Sequence, residues 1–401
     1  SQRYRLAWTR QDFSAILLAM FNFDQIIDRK NTNSLKWEEE KGSLPLWVAD
    51  MDFEVAPCIQ KAVKERANHP VFGYSIIPDE WAESYISWWK NRHNLKIQKE
   101  ELVFCTGVVP AISSIVRKLT TPAEYVLLQT PVYNIFFNSV VNNGRNVLES
   151  PLDYDGEKYT INFERLEKDL SNPQVSMMIL CNPHNPCGNL WSKEELAKIG
   201  SLCKKYNVLV VSDEIHCDIT RPETEYTPFA LSGDDCRMNS VTCIAPSKAF
   251  NIAGLNSAAV YIPNPNLRHK VWRALNTDEC AEPNAFAIQA TVAAFSEGEG
   301  WLNEMREYVF ENRKIAEDFI AQKLPGLKPV KSDSTYLLWL DVSKTGLSGD
   351  DFAQKLKEKT GLFISGGSQY GEAGKSFVRI NLACPKSVLE EALERLLNFL
   401  L

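Results

Sequence analysis

No stretch of this sequence approaches the roughly 20 consecutive apolar residues that a helix needs to cross a bilayer, and no dense block of lysine and arginine offsets a formal net charge of -7. The first absence excludes a membrane-spanning helix. The second argues against nucleic acid or an anionic membrane surface as the main partner. Histidine is scarce, five in 401 residues, and its spacing calls for no metal. The ten cysteines form no C-x-x-C and no tight cluster with histidine. Cys181 and Cys187 suggest a metal pair, yet nothing nearby supplies the second pair of a structural zinc site. Scattered thiols of this kind read as reduced packing cysteines in a cytoplasmic protein. Internal repeats and low-complexity tracts are also missing. What remains is a globular chain whose partner is a small molecule.

The length allows roughly two to three domains, and 44 per cent hydrophobic residues supply a sizeable core. Arg3, Arg5 and Arg10 precede the apolar run Ala15 to Phe21 and mimic a signal peptide. The run is too short, has no small-residue cleavage site, and is separated from the arginines by Gln11-Asp12. Residues 1–19 are therefore expected to be a leader or vector-derived extension, with Met20 the natural start. Residues 20–60 are loop-rich and are expected to join a smaller domain. Asp50 and Asp52, in Trp47-Val48-Ala49-Asp50-Met51-Asp52, read as turn or capping residues before a helix over Glu54 to Ala67. A second helix is expected over Trp81 to Asn91.

From there the chain alternates as a parallel sheet requires. Glu101 to Gly107, Tyr125 to Thr130, Val175 to Cys181, Val208 to Ser212 and Val241 to Ala245 are short apolar runs. Between them stand a helix opened by Pro110 and another over Ser192 to Tyr206, with Ser192 and Glu195 as a capping box. Such strands imply a mostly parallel sheet buried on both faces, with ligands at the carboxyl ends of its strands. The fold class is α/β: a large domain over 61–300 and a smaller α+β domain over 301–401. The smaller domain holds a long helix (Trp301 to Leu324), strands at Tyr336 to Asp341 and Ser376 to Leu382, a helix at Asp350 to Thr360, and a last helix from Val388.

The residues with chemical potential gather at strand ends. Val241 to Ala245 delivers Lys248 among small and hydroxyl residues, where a lysine is a candidate amine nucleophile able to form a Schiff base in a cofactor pocket. Val208 to Ser212 ends in Asp213 and Glu214. An isolated acid there is more often a turn cap. Paired with Lys248, however, Asp213 completes a minimal electron-sink kit: an amine, and an acid that keeps a pyridinium nitrogen protonated. Gly107-Val108-Val109 precedes a helix start whose free N–H groups would cradle a phosphate. Tyr133 is placed to stack on a ring and Asn185 to bond its hydroxyl, although alone each is ordinary core or turn chemistry. Arg379, inside the apolar strand Phe377 to Asn381, is either a structural ion pair or a fork for a substrate carboxylate. His69, His93 and His269 read as surface or packing residues. His184 and His216 lie beside the motifs.

These motifs together are recognisable. From about Phe21 to the C-terminus the chain resembles the fold-type I pyridoxal phosphate enzymes, and within them the MalY/PatB family of cystathionine β-lyases. The markers are Trp47 to Phe53, Gly107 to Ala111, Cys181 to Pro186, Ser212 to His216 and Pro246 to Asn251. The resemblance implies the fold-type I transferase fold and pyridoxal 5′-phosphate as cofactor. It implies Lys248 as the cofactor-linking lysine, Asp213 on the ring nitrogen, Asn185 on the ring hydroxyl and Tyr133 on the ring face. It further implies Arg379 on the substrate carboxylate and Tyr74 reaching a phosphate across a homodimer interface. Aminotransferase relatives commonly carry arginine eight positions after the lysine, serine three before it, and tyrosine at the position of His216. Here those places hold Asn256, Ala245 and His216, so phosphate anchoring leans on the helix start, Ser247 and Tyr74. The implied activity is α,β-elimination from an L-amino acid with sulfur on Cβ, such as cystathionine, giving thiol, pyruvate and ammonia. The alternatives are a class I/II aminotransferase and, behind it, a cofactor-binding regulator acting through protein contacts.

Overall fold

The computed structural model describes residues 20–401, so the expectation for 1–19 lies outside the described residues. A seven-stranded sheet organises the chain. Its strands are β1 (Leu102–Cys105), β2 (Tyr125–Leu128), β3 (Asn146–Glu149), β4 (Val175–Cys181), β5 (Leu209–Asp213), β6 (Ser240–Ile244) and β7 (Ala258–Tyr261). The spatial order is β1-β7-β6-β5-β4-β2-β3, with only β7 running against its neighbours. All five apolar runs foreseen in this region are strands. β7 was not foreseen, because its four residues offer no periodicity between the Lys248 loop and Pro263.

Both faces are covered, which explains why β4 to β6 read as near-continuous apolar runs. Val108–Leu119 presses Ala111, Ile112, Ile115 and Val116 onto one face. Lys193–Lys205 presses Leu196, Ile199 and Cys203 onto the other. Its expected capping box is present: Ser192 Oγ accepts from Glu195 N at 3.1 Å, and Ser192 N donates to Glu195 Oε2 at 2.8 Å. The first expected helix runs over Pro57–Asn68 and the second over Asp79–His93.

Beyond residue 297 a 25-residue helix, Glu299–Lys323, joins two cores. Its first half packs Trp301, Leu302 and Met305 beside the seven-stranded sheet, and its second half packs Ala316 and Ile320 with the C-terminal elements. Those elements are an antiparallel sheet of Lys328–Pro329, Leu337–Asp341, Phe377–Asn381 and Ser365–Gly366, backed by Gly349–Thr360 and Lys386–Leu400. The early segment reaches this part of the molecule: Leu44–Pro45 pairs in parallel with Leu362–Phe363.

One expectation is corrected here. Asp50 and Asp52 cap no helix, since Ala56 holds the N-cap position of Pro57–Asn68. Asp52 is buried instead, accepting from Lys36 Nζ and Arg29 Nη1, each at 2.7 Å, while Arg29 grips Asp50 with two bonds of 2.9 Å. Lys36 and Arg29 hold the Asp52 carboxyl below its usual range against the opposing effect of burial. The network anchors a strap, residues 47–53, that runs between the two sheets.

Candidate active site

The fully buried strand β6 ends at Ile244, and after Ala245-Pro246 the chain turns in a loop closed by Phe250 N to Pro246 O at 2.9 Å and Ile252 N to Ser247 O at 3.0 Å. The turn presents Lys248 toward the strap, where Nζ donates to the Ala49 carbonyl at 2.7 Å. Burial, followed by the nearby Arg379 charge, lowers the Lys248 pKa to about 8, against the opposing pull of Asp50 and Asp213. A lysine so placed is a usable base near neutrality.

β5 lies beside β6 and brings Asp213 into register with Cys243 on one side and Cys181 on the other. The Asp213 carboxylate is buried and makes no salt bridge with any described residue; its single hydrogen bond comes from Ile215 N at 3.1 Å. Burial raises its pKa to about 7, opposed by that N–H and by Lys248. Glu214, the next residue, faces a different environment. Its carboxylate accepts from Ser212 Oγ, Tyr226 Oη, Phe229 N and Asn182 Nδ2 at 2.9 to 3.3 Å, so it is a structural anchor.

After β1 the chain passes Thr106 and Gly107 into Val108–Leu119, two residues earlier than the helix start at Pro110 that the sequence suggested. The N–H groups of Val108 and Val109 precede the first intrahelical bond, Ala111 N to Gly107 O at 3.1 Å, and are free for an anion. Thr106, Ser247, Asn256 and Ser257 line the same cavity. Asn256 adopts φ 52 and offers a short amide where a longer cation would carry charge.

Gly107, Val108, Val109, Tyr133, Asn185, Asp213, His216, Ser247 and Lys248 all line one cavity of about 200 Å³. Arg379 stands just behind them. Its Nη1 donates to Asn185 Oδ1 at 3.2 Å and its Nη2 to the Trp47 carbonyl at 3.0 Å, its guanidinium lies over the Tyr370 ring, and its buried Nε has no hydrogen-bond partner among the described residues. Tyr74 is not brought to the cavity of its own chain. It is fully exposed, beside the exposed apolar residues Val71, Phe72 and Ile76. His216 lines the cavity as a neutral ring, held down to about 3 by burial and then by Lys248 and Arg379. His184 is a packing residue whose Nε2 lies 2.7 Å from the Pro131 carbonyl.

Sequence reasoning missed how the strap is held. Ala49 accepts Lys248 and also Tyr336 Oη at 3.0 Å. Asn251, at φ 56, accepts from Met51 N and donates to the Met51 and Phe53 carbonyls at 3.0 to 3.1 Å. Asn381 donates to the Val48 and Asp50 carbonyls at 2.8 and 2.6 Å. Only the side-chain types were visible beforehand; their common target is distant in sequence. Among the described residues one group has metal-like proximity, His93, Cys217 and Asp218. Asp218 is already committed to Trp88 Nε1, Arg92 and His93 at 2.8 to 3.3 Å, which makes it a buried ion-pair centre.

These residues fit pyridoxal 5′-phosphate. A buried carboxylate with no ion-pair partner among the described residues is what a ring cation needs, free helix N–H groups suit a phosphate, and a lysine of lowered pKa lines the same cavity. Comparison with known proteins agrees. The family model for aminotransferase class I and II matches residues 42–396. The chain is 42% identical to cystathionine β-lyase PatB of Bacillus subtilis, over 94% of this chain and 98% of that protein, and 33% identical to MalY of Escherichia coli, again over 94% and 98%. Among solved structures, it is similar to cystalysin of Treponema denticola, which contains a pyridoxal 5′-phosphate cofactor. The TM-score is 0.92 and the identity 33%, over 95% of this chain and 99% of that one. The chain belongs to the class I and II aminotransferase family, in its PatB and MalY cystathionine β-lyase branch, with the fold-type I architecture and pyridoxal 5′-phosphate as cofactor.

Proposed function

We propose that this protein is a carbon-sulfur β-lyase that cleaves L-cystathionine or a related sulfur amino acid to thiol, pyruvate and ammonia. The observation that carries the reading is that Lys248 and Asp213 line one cavity and that Arg379 bonds Asn185, a residue of its wall, at 3.2 Å; the 42% identity to a cystathionine β-lyase supplies the substrate class. The cofactor, when bound, would supply an electron sink for α,β-elimination, in which the α C–H bond and the Cβ–S bond break and thiolate leaves. Asp213 would hold the positive charge on the ring nitrogen, Tyr133 would lie on the ring, and Asn185 would bond its hydroxyl. Val108 N, Val109 N, Ser247 and the hydroxyls of Thr106 and Ser257 would hold the phosphate.

The protein's own groups then account for the proton and the orientation. Lys248, uncharged over much of the range above its lowered pKa, takes the α-proton at Nζ. Arg379 exchanges its bond to Trp47 for the substrate carboxylate, a planar two-point fit that fixes the α-carbon before the proton moves. Neutral His216 adds no competing cation beside Lys248.

A homodimer is part of the proposal. Exposed Tyr74, Val71, Phe72 and Ile76 form an apolar loop suited to a second copy, with Tyr74 completing the neighbour's phosphate site. So is a division into an N-terminal segment over 20–60, a large domain over 61–300 and a smaller one over 301–401. The cytoplasm is the proposed location: all ten cysteines are free thiols, as a reducing compartment keeps them. No helix of the described residues is long and apolar enough to cross a membrane.

The deciding experiment incubates the cofactor-loaded protein with L-cystathionine and no keto acid. Pyruvate and thiol in equal amounts are expected. Amino transfer appearing only when a keto acid is added would replace the lyase reading with the aminotransferase one.

A further inference from the structure

One buried side chain beside the reacting lysine has no part in the chemistry above. Tyr336 Oη donates to the Ala49 carbonyl at 3.0 Å, the same oxygen that accepts Lys248 Nζ at 2.7 Å. Two donors occupy the two lone pairs of one carbonyl. Tyr336 is fully buried, and burial and then Asp50 raise its hydroxyl above the ordinary tyrosine range, so it stays a neutral donor.

The way Tyr336 is presented is costly. Thr335 adopts φ 66, a left-handed conformation that a β-branched residue seldom takes. The fully buried Arg313 spans this point, its Nη2 donating to the Thr335 carbonyl at 3.2 Å and the Leu337 carbonyl at 2.9 Å. Its Nε and Nη1 have no hydrogen-bond partner among the described residues, and Nη1 meets only the Glu317 carboxylate, at 4.0 Å. The Tyr336 carbonyl is itself fixed by Leu382 N at 2.7 Å. A phenylalanine would fill the same core volume, and the hydroxyl makes one hydrogen bond, to Ala49. Strain and buried charge of this kind persist where a geometry is needed.

We propose that Tyr336 is a positioning residue for Lys248: its hydroxyl fixes the Ala49 carbonyl on which the lysine amine docks when it is free to take the α-proton. The inference rests on the reading of Lys248 as that base. With one N–H held on an immobile carbonyl, the amine loses rotational freedom and meets the α-carbon in one orientation, an advantage of the proximity kind. Asn251 and Asn381 hold the flanking peptides of the strap, so loss of the Tyr336 hydroxyl loosens the carbonyl without releasing the whole segment.

The test is Tyr336→Phe, read in two ways. In heavy water, the cofactor-loaded protein exchanges the α-hydrogen of L-alanine for deuterium, a reaction that needs proton abstraction but no leaving group and that NMR follows directly. The variant is expected to exchange about tenfold more slowly at saturating L-alanine, with KM for L-alanine changed less than about twofold. In the cofactor-free protein, the pH dependence of Lys248 acylation by acetic anhydride, read by mass spectrometry, should move upward by about half a pH unit, because the carbonyl becomes free to bond the ammonium alone. Exchange at the wild-type rate, a loss confined to KM, or an unmoved acylation midpoint would each overturn the proposal. Lys248→Ala separates it from the reading beneath it: full exchange by that variant removes Lys248 as the base, whatever Tyr336 does.

Discussion

Lys248 and Arg379 are fastened to the same strap two residues apart, Nζ to the Ala49 carbonyl at 2.7 Å and Nη2 to the Trp47 carbonyl at 3.0 Å. The lysine comes from the seven-stranded sheet and the arginine from the antiparallel one. A segment with almost no secondary structure of its own therefore ties together the proposed base and the proposed carboxylate fork. Its carbonyls are satisfied by side chains from both sides, as buried backbone must be.

Lys248→Ala should abolish pyruvate formation and the visible absorbance of the bound cofactor, since it removes both the attachment point and the base. Turnover at a measurable fraction of wild type, assayed with cystathionine, would remove Lys248 from the site.

Arg379→Lys should raise KM for cystathionine by about 100-fold with a smaller fall in kcat, because an ammonium cannot replace the planar two-point grip. Steady-state kinetics distinguish this from a loss confined to kcat, which would make Arg379 a support for Asn185 and Trp47 only.

The cofactor-free protein should lose stability as pH rises from about 4 toward 8. The Asp213 carboxyl holds its proton up to about 7 when folded, well above its unfolded value of about 3.9, so burying it as carboxylate costs more the higher the pH. Asp213→Asn should melt above the wild type at pH 8, and the gap should shrink by pH 5. The same substitution should cut turnover of the loaded protein by about 100-fold or more, through loss of the charge opposite the ring nitrogen. A gap independent of pH would show that Asp213 is not the titrating group.

Asn251→Ala should cost roughly 3 kcal/mol in urea unfolding, from three lost hydrogen bonds and a left-handed backbone that alanine disfavours. Asn251→Gly should lose less, since glycine accepts φ 56 freely. Equal losses would mean that the bonds alone matter.

Mixing inactive Lys248→Ala and Tyr74→Ala subunits, with exchange, should restore about a quarter of wild-type activity. Half the dimers would then be mixed, and each would hold one intact site. No restoration would place Tyr74 outside the neighbour's site.

Much of the site was legible because its residues sit at the ends of short apolar strands. Asp213 and Lys248 follow buried runs that could only be central strands, and central parallel strands deliver their carboxyl ends to one crevice. The helix after Gly107 was legible from Pro110, although its start was placed two residues late, because the apolar Val108 and Val109 carry no capping signal. Of the two readings of Asp50 and Asp52, turn or cap, the cap fails. Capping is a local rule, whereas their partners Lys36 and Arg29 are chosen by a chain path that no local pattern encodes.

By itself, then, the sequence determined the sheet, the cofactor kit and the family, because strand periodicity, strand-end chemistry and ordered motifs are all short-range properties. The tertiary structure alone decided that Ala49, Asn251, Tyr336 and Asn381 form one device around Lys248. Hydrogen bonds between residues nearly 290 positions apart, as between Ala49 and Tyr336, are fixed by packing the two sheets against a common strap. It also decided that Tyr74 points away from its own cavity, since exposure is a property of the folded surface.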